Sequence, residues 1–121
     1  NPVFIHNDYQ LKNILYSDGE IQGLVDFDEV IAGHNEFDFI KMHLPFRKER
    51  IWLPEILKAY QENGGHLTEG FPLLIRLYQL NFCLNVLRFL FINRIDNPEM
   101  VKKYIWSAER ILEDSTNIPY L

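Results

Sequence analysis

The sequence predicts a mainly helical α+β fold, with a strand-rich first third followed by packed helices. The first third combines short apolar runs with a tight-turn signal, whereas the remainder carries apolar residues at helical spacing. No internal repeat and no glycine- or serine-rich linker divides the 121 residues, and 47% of them are apolar, which suffices for a packed core. We therefore predict a single domain spanning residues 1–121.

Two strands of the first third are predicted to form a hairpin. Residues 14–16 and 21–25 are apolar runs, and the Asp18-Gly19 pair lies between them. Asp-Gly supplies the positive φ angles that a tight hairpin turn requires, so the two runs are expected to pair. A third apolar run, residues 3–5, predicts a core strand near the start of the chain.

Two helices are predicted in the middle of the chain. Residues 37–44 fit two helical turns that end at Pro45, because proline cannot continue a helix. Residues 54–63 fit a helix with a proline in its first turn. The Gly64-Gly65 pair follows as its stop signal.

The longest predicted helix covers residues 71–93 and is apolar on several faces. Asn81, Asn85 and Arg88 form a thin polar stripe along it, at spacings of four and three. Such a helix is typical of the central, nearly enclosed member of a bundle. Arg76 and Arg88 interrupt the apolar run, so we expect a buried helix rather than a membrane span.

The last predicted helix has clear start signals. Asp96 or Asn97 is expected to cap it, Pro98 suits its first turn, and Glu99 would close a capping box with Asp96. Its apolar residues follow a period of about 3.6: Val101, Tyr104, Ile105, Ala108, Ile111 and Leu112.

Three polar side chains of the first third are of the types that phosphoryl transfer requires. Asp8 is followed five residues later by Asn13, and Asp26 comes directly after the run 21–25. A carboxylate accepts the proton of an attacking hydroxyl, and magnesium prefers carboxylate and amide oxygens. The predicted hairpin returns the chain so that Asp26 emerges beside Asn13. We therefore expect the three side chains to converge in one cleft.

The first third resembles the catalytic loop and metal-binding segment of the aminoglycoside phosphotransferase-like family, part of the protein-kinase-like superfamily. The resemblance rests on the motif His6-x-Asp8-x-x-x-x-Asn13, on the hairpin after it and on the Asp-Phe-Asp segment that begins at Asp26. The close match covers residues 3 to about 40, and beyond it only the pattern of helices agrees.

The resemblance implies a role for each matching residue. Asp8 would be the catalytic base that orients the substrate hydroxyl. Asn13 and Asp26 would hold Mg²⁺ on the phosphates of ATP or GTP. His6 and Asp38 would support the catalytic loop.

The chain also departs from the family pattern. Asn7 stands where glycine is most common, although asparagine tolerates unusual backbone angles. No glycine-rich loop and no lysine-bearing strand precedes His6. The resemblance therefore implies the C-terminal lobe of a protein-kinase-like fold, with the N-terminal lobe expected in a longer parent protein. Residues 1–35 would carry the catalytic loop, hairpin and metal segment, and residues 36–121 the helical part.

The function implied is transfer of the γ-phosphate of ATP or GTP to a hydroxyl of a small molecule, such as an aminoglycoside, a sugar or an amino alcohol. The fragment alone is expected to be inactive. One alternative is a non-catalytic kinase-like binding module. Another is a metal phosphohydrolase using His6, Asp8, Asp26 and His34, which would leave Asn13 unexplained.

Further expectations concern partners and surroundings. Asp28 and Glu29 either line the substrate side of the cleft or are simply solvated. The formal net charge of −5 argues against a nucleic-acid partner, and no membrane partner is expected. Cys83 is the only cysteine; it lies in an apolar run and is expected to be a buried, inert thiol. A reducing, cytoplasmic location fits.

Overall fold

The computed structural model describes residues 2–113, and the predicted mainly helical α+β class is confirmed. Within those residues four short strands occupy the first third, and three α-helices make up most of the remainder, with 3-10 turns between them. The strands are β1 (Val3–Ile5), β2 (Ile14–Ser17), β3 (Glu20–Leu24) and β4 (Ile31–Gly33). The helices are α1 (Leu53–Glu62), α2 (Phe71–Ile92) and α3 (Pro98–Glu113).

The predicted hairpin is confirmed as the antiparallel pair β2–β3. Ile14 lies opposite Leu24 at its open end, and a bulge interrupts the register after Leu15. The turn residues Asp18 and Gly19 have φ angles of 54° and 85°. Both values are positive, as the two central residues of a tight hairpin turn require.

A second antiparallel pair, β1–β4, was not predicted. Phe4 lies opposite Ala32, and Ile5, which is 1% exposed, lies opposite Ile31. This pairing holds the start of the loop that follows β1 against the chain that leaves β4. The pairing joins residues far apart in sequence, which a local pattern does not reveal. The apolar run around Ile31 is also too short to predict a strand.

The helix boundaries agree with their predicted signals. At the end of α1, Gly64 has a φ of +85° and the Gly65 amide donates to the Tyr60 carbonyl oxygen at 2.8 Å, which closes the helix. At the start of α3, the Oδ1 atom of Asn97 accepts from the Met100 amide at 3.0 Å. Asn97 is therefore the cap, and the predicted capping box between Asp96 and Glu99 is wrong, because a cap at Asn97 places Met100 at the position that the box requires.

The helix predicted over residues 37–44 is also wrong. Asn35–Phe39 is a 3-10 helix, and turns follow it. Side chains in this segment bind distant backbone groups: Asp38 accepts from the His6 amide, and Glu36 accepts from the Thr68 amide. These long-range hydrogen bonds fix the directions of the two side chains, and this tertiary effect outweighs the local preference for an α-helix.

The prediction that α2 is nearly enclosed is wrong. It packs along one face against α3, and its buried residues include Ile75, Cys83 and Leu90. Its other faces expose large apolar side chains: Leu73, Leu77, Leu84, Phe89, Phe91 and Ile92. By length and composition α2 could cross a membrane, and 22% of its most apolar window is buried. The core helix of a soluble protein passes the same test, so α2 alone does not establish a span.

Two apolar clusters form the core of the described residues. The first joins α1 to the start of α2 through Leu53, Leu57 and Ile75. The second joins α2 to α3, and Cys83 in it is fully buried, as predicted. Burial raises the pKa of the Cys83 thiol to about 11, so the thiolate does not form at neutral pH.

Candidate active site

The loop after β1 is held by the carboxylate of Asp38. The amides of His6 and Asn7 donate to its two oxygens at 3.2 and 2.7 Å. Asn7 has a φ of 62°, a left-handed conformation that asparagine tolerates better than most residues. Two amide hydrogen bonds to one carboxylate fix the direction in which the chain enters the loop and place Asp8 at its bend.

The ring of His6 is buried and makes a hydrogen bond through each nitrogen. Nδ1 lies 3.3 Å from the amide of Asp8 and accepts from it, while Nε2 lies 2.9 Å from the carbonyl oxygen of Val25 and donates to it. This pair of bonds requires a neutral ring with its proton on Nε2. His6 therefore ties the loop to the end of β3 and lacks a free nitrogen for proton transfer.

Four side-chain donors surround the carboxylate of Asp8, a residue that is 8% exposed. Gln10 and the Lys41 ammonium donate to Oδ1, the latter at 2.8 Å. The Asn13 amide donates to Oδ2 at 3.0 Å, and the Lys12 ammonium lies 3.2 Å from Oδ2. A carboxylate offers about four acceptor positions, so these donors occupy all of them.

The charge of Asp8 is stabilised in this environment. Burial raises the pKa of the carboxyl, but the hydrogen bonds and charge of Lys41, together with Lys12 and Gln10, outweigh burial and lower the pKa to about 2. Asp8 is therefore ionised at neutral pH, the state in which a carboxylate accepts a proton or orients a hydroxyl.

Asn13 lies between Asp8 and the end of the hairpin. Its side-chain nitrogen also donates to the Asp8 carbonyl oxygen at 2.9 Å, and its backbone oxygen accepts from the amide of Val25 at 2.9 Å. The structure thus brings Asn13 into contact with Asp8 and with the residue before Asp26. This backbone arrangement is the one expected from the hairpin register.

The donor atoms of Asn13 and Asp26 are of the types that a magnesium ion takes. Asn13 uses its side-chain nitrogen on Asp8, which leaves its amide oxygen available to a ligand. Asp26 is exposed with a left-handed backbone (φ 69°), and its carboxylate makes no hydrogen bond within residues 2–113. One amide oxygen and one carboxylate, with phosphate oxygens completing the shell, form a donor set that magnesium takes.

Sequence reasoning missed Lys41. Its ammonium bridges the Asp8 carboxylate and the Oε2 atom of Glu29, 2.7 Å away, and only 15% of its side chain is exposed. Burial lowers the pKa of Lys41, but the two carboxylates outweigh burial and raise it, so the ammonium stays charged. No local pattern indicates this contact, because Lys41 is 33 residues from Asp8 and 12 from Glu29.

The two candidate substrate-side residues differ. Glu29 is engaged by Lys41, and its backbone oxygen accepts from the Asn7 side chain at 3.1 Å. Asp28 is exposed and forms no hydrogen bond or ion pair within residues 2–113. Glu29 thus belongs to the surroundings of Asp8, whereas nothing in its contacts connects Asp28 to them.

The arrangement does not favour the metal phosphohydrolase alternative. His34 pairs with Glu36 at 3.0 Å, and both ring nitrogens of His6 are used within the loop. Across residues 2–113, no three histidine, cysteine or acidic side chains are grouped so as to hold a metal ion. The four residues that this alternative requires are therefore not gathered.

The fold and this loop define the class of protein: a mainly helical α+β domain that presents a buried, ionised aspartate beside a hairpin. The family model described as "Phosphotransferase enzyme family" matches residues 1–71, more than half of the chain. The chain belongs to that family, and membership supports a phosphotransferase kind of function and implies the kinase-like superfamily. No curated protein and no solved structure matches the chain. The matched residues include the whole Asp8 environment.

Proposed function

We propose that the protein transfers the γ-phosphate of ATP or GTP to a hydroxyl of a small molecule, with Asp8 as the catalytic base. The observation that carries the proposal is the Asp8 carboxylate, which is buried, is held ionised by Lys41, Lys12 and Gln10, and accepts a further hydrogen bond from Asn13. Phosphoryl transfer requires a protein chiefly to position the nucleophile and to neutralise charge. The hydrogen bonds of this loop hold the Asp8 carboxylate in a fixed position.

In the proposed reaction, Asp8 accepts a hydrogen bond from the acceptor hydroxyl and takes its proton. The hydroxyl oxygen forms a bond to the γ-phosphorus, and the bond from that phosphorus to the β–γ bridging oxygen breaks, which leaves ADP or GDP. Because four donors already fill the acceptor positions of Asp8, the hydroxyl replaces one of them. His6 and Asp38 act as positioning residues that keep the loop in place.

Asn13 and Asp26 are the residues that we propose hold Mg²⁺. When bound, the ion would neutralise charge on the phosphate oxygens of the nucleotide. Because the Asn13 amide contacts Asp8, it couples the position of the base to the position of the metal ligands.

The test is phosphate transfer from γ-labelled ATP or GTP by the protein expressed from its complete coding sequence, against a panel of hydroxyl acceptors. Asp8→Asn keeps the shape of the side chain and removes its basicity, so we expect a loss of about 10²–10⁴-fold in kcat. Asp18→Asn is the matched control, since it makes the same chemical change in the exposed hairpin turn. Equal turnover of Asp8→Asn and the wild type would remove Asp8 as the base.

A non-catalytic binding module is the second candidate. The full set of donors around Asp8 favours it, because a resident donor must leave before a hydroxyl can bind. Binding of nucleotide and acceptor with no transfer to any acceptor of the panel would establish this candidate. Transfer that disappears in Asp8→Asn would exclude it.

A further inference from the structure

A small cavity of about 130 Å³ lies beside the catalytic loop, between that loop and the middle of α2. Asn7, the neighbour of Asp8, lines it, and so does Lys41, whose ammonium contacts the Asp8 carboxylate. Tyr78, Asn81 and Asn85 line it from α2. The cavity is therefore next to the reacting centre that we propose, and it is formed partly by a helix that has no role in that centre.

The polar groups on the α2 side of the cavity are unused. Within residues 2–113, the hydroxyl of the half-buried Tyr78 and the solvent-exposed side-chain amides of Asn81 and Asn85 make no hydrogen bond to the protein. Polar side chains are rare on α2, and two of the three in its polar stripe face this one cavity. Unpaired amides at a cavity wall are available to a ligand that offers both donors and acceptors.

The remaining walls are aromatic and aliphatic. The rings of Phe37 and Tyr78 contact each other at 4.3 Å between centroids, and Phe82 lies under the Lys41 ammonium at 5.6 Å. Aromatic faces beside side-chain amides suit a ligand with apolar C–H faces and a rim of hydroxyl groups. That combination is the chemistry of a sugar ring.

The charge of the cavity discriminates between classes of acceptor. Its lining contains no carboxylate and one cation, Lys41. Two carboxylates beside the lining residues, Asp8 and Glu29, are paired with that same ammonium at 2.8 and 2.7 Å, and a third, Asp38, accepts from the amides of His6 and Asn7. A cationic acceptor would meet a like charge at close range, and the lining offers it no carboxylate as compensation, whereas a neutral hydroxyl compound meets no such penalty.

We propose that this cavity is the acceptor subsite and that it takes an uncharged polyhydroxyl compound of monosaccharide size, in preference to an amine-bearing one. The inference rests on the proposed function, because it assigns the acceptor of that same reaction. The sugar hydroxyl that reaches Asp8 gives its proton to the carboxylate and receives the γ-phosphate of the nucleotide, so that the products are a sugar phosphate and ADP or GDP. Asn81 and Asn85 hold the other hydroxyl groups, and Lys41 excludes amines.

Matched pairs of sugars test the charge argument. Glucose, galactose and mannose are each compared with the corresponding 2-amino sugar, which replaces one hydroxyl by an amine, at about pH 6, where that amine is protonated. Binding is measured by calorimetry and transfer by labelled phosphate, with the protein from its complete coding sequence. We expect at least one neutral sugar to bind and its amino partner to bind about tenfold more weakly or worse.

Two sets of variants test whether the residues of the cavity determine sugar binding and the preference for a neutral sugar. Asn81→Ala and Asn85→Ala should each weaken binding of the neutral sugar about tenfold while leaving thermal unfolding unchanged, because neither amide supports the fold within the described residues. Lys41→Met removes the cation from the cavity and leaves Glu29 without its ion partner and Asp8 with Lys12 alone, so the preference should shift toward the amino sugar. Lys58→Met, which alters an exposed ammonium on α1, should keep the wild-type preference.

The outcomes separate the subsite from the proposed function. Asp8→Asn should still bind the neutral sugar while it fails to transfer phosphate. Wild-type binding of an amino sugar as tight as that of its neutral partner would overturn the inference, even where Asp8-dependent transfer occurs. Failure of every neutral sugar to bind, or unchanged binding in both asparagine variants, would overturn it as well.

Discussion

The surroundings of Asp8 and the interface between α2 and α3 are held together by different forces. Around Asp8 the contacts are hydrogen bonds and ion pairs, several of them buried, and each fixes a direction. Between the helices the contacts are apolar, with Cys83, Tyr104 and Ile111 at the centre. Apolar burial gives stability without directional precision, whereas a buried polar cluster gives precision at a cost in desolvation.

This contrast predicts which substitutions affect stability most. Ile111 is 5% exposed in the α2–α3 cluster, so Ile111→Ala should lower the free energy of unfolding by about 2–5 kcal/mol, measured by chemical denaturation. Leu112 is 60% exposed, and Leu112→Ala is the neighbouring control with an expected change below about 1 kcal/mol. Equal losses in the two variants would show that the helices do not pack as described.

The second prediction concerns pH and the Asp8 environment. The pKa of Asp8 falls from 3.8 to about 2 on folding, so its stabilisation of about 2 kcal/mol is present above pH 3.8 and is lost as the pH falls through about 2. The unfolding free energies of the wild type and of Asp8→Asn, measured from pH 6 downward, should converge as the pH falls from 3.8 through about 2. A constant difference between the two proteins would contradict the ion pairs around Asp8.

A third prediction tests the capped start of α3, at the edge of the α2–α3 interface. Asn97→Ala removes the side-chain oxygen that accepts from the Met100 amide, so α3 should lose about 1 kcal/mol. Asp96→Ala should change stability little, because Asp96 is not the observed cap. Thermal unfolding of both variants decides between the two capping residues, and a larger loss in Asp96→Ala would restore the capping box.

The smallest effect is expected at Lys12. Its side chain is 61% exposed, and an exposed ion pair contributes about 0–1 kcal/mol, so Lys12→Gln should barely change stability. Lys41 contacts the same carboxylate but is 15% exposed, so Lys41→Gln should cost more and should be less sensitive to added salt. The two variants, compared at low and high salt, measure how far burial strengthens a contact with one carboxylate.

Local signals predicted local structure correctly. The Asp18-Gly19 pair predicted the hairpin, and the Gly64-Gly65 pair predicted the end of α1. Asn97, the observed cap of α3, was one of the two predicted caps. Each rests on backbone angles or on hydrogen bonds within a few residues, so the residue types suffice. The spacing from Asp8 to Asn13 likewise predicted their proximity, because both lie on one short loop.

Long-range contacts were not predictable in the same way. The apolar run of α2 predicted an enclosed helix. One face of α2 packs on α3, but other faces remain exposed. Apolar composition alone does not indicate how many neighbouring elements are available to cover a helix. Residues 37–44 were predicted to form two helical turns, but Asn35–Phe39 is a 3-10 helix followed by turns, since Asp38 and Glu36 bind distant amides. The roles of Asp8, Asn13 and Asp26 in catalysis and metal binding stay predictions for the experiments above.

The sequence by itself determined the fold class, the hairpin, the boundaries of the three α-helices and the residues of the candidate loop, because these depend on periodicity, turn chemistry and short spacing. Only the tertiary structure decided which charges distant in sequence meet. Lys41 contacts Asp8 and Glu29 across 33 and 12 residues, and the amides of α2 line the cavity beside them. Such contacts depend on how separate elements pack against each other, and no local pattern in the chain encodes that packing.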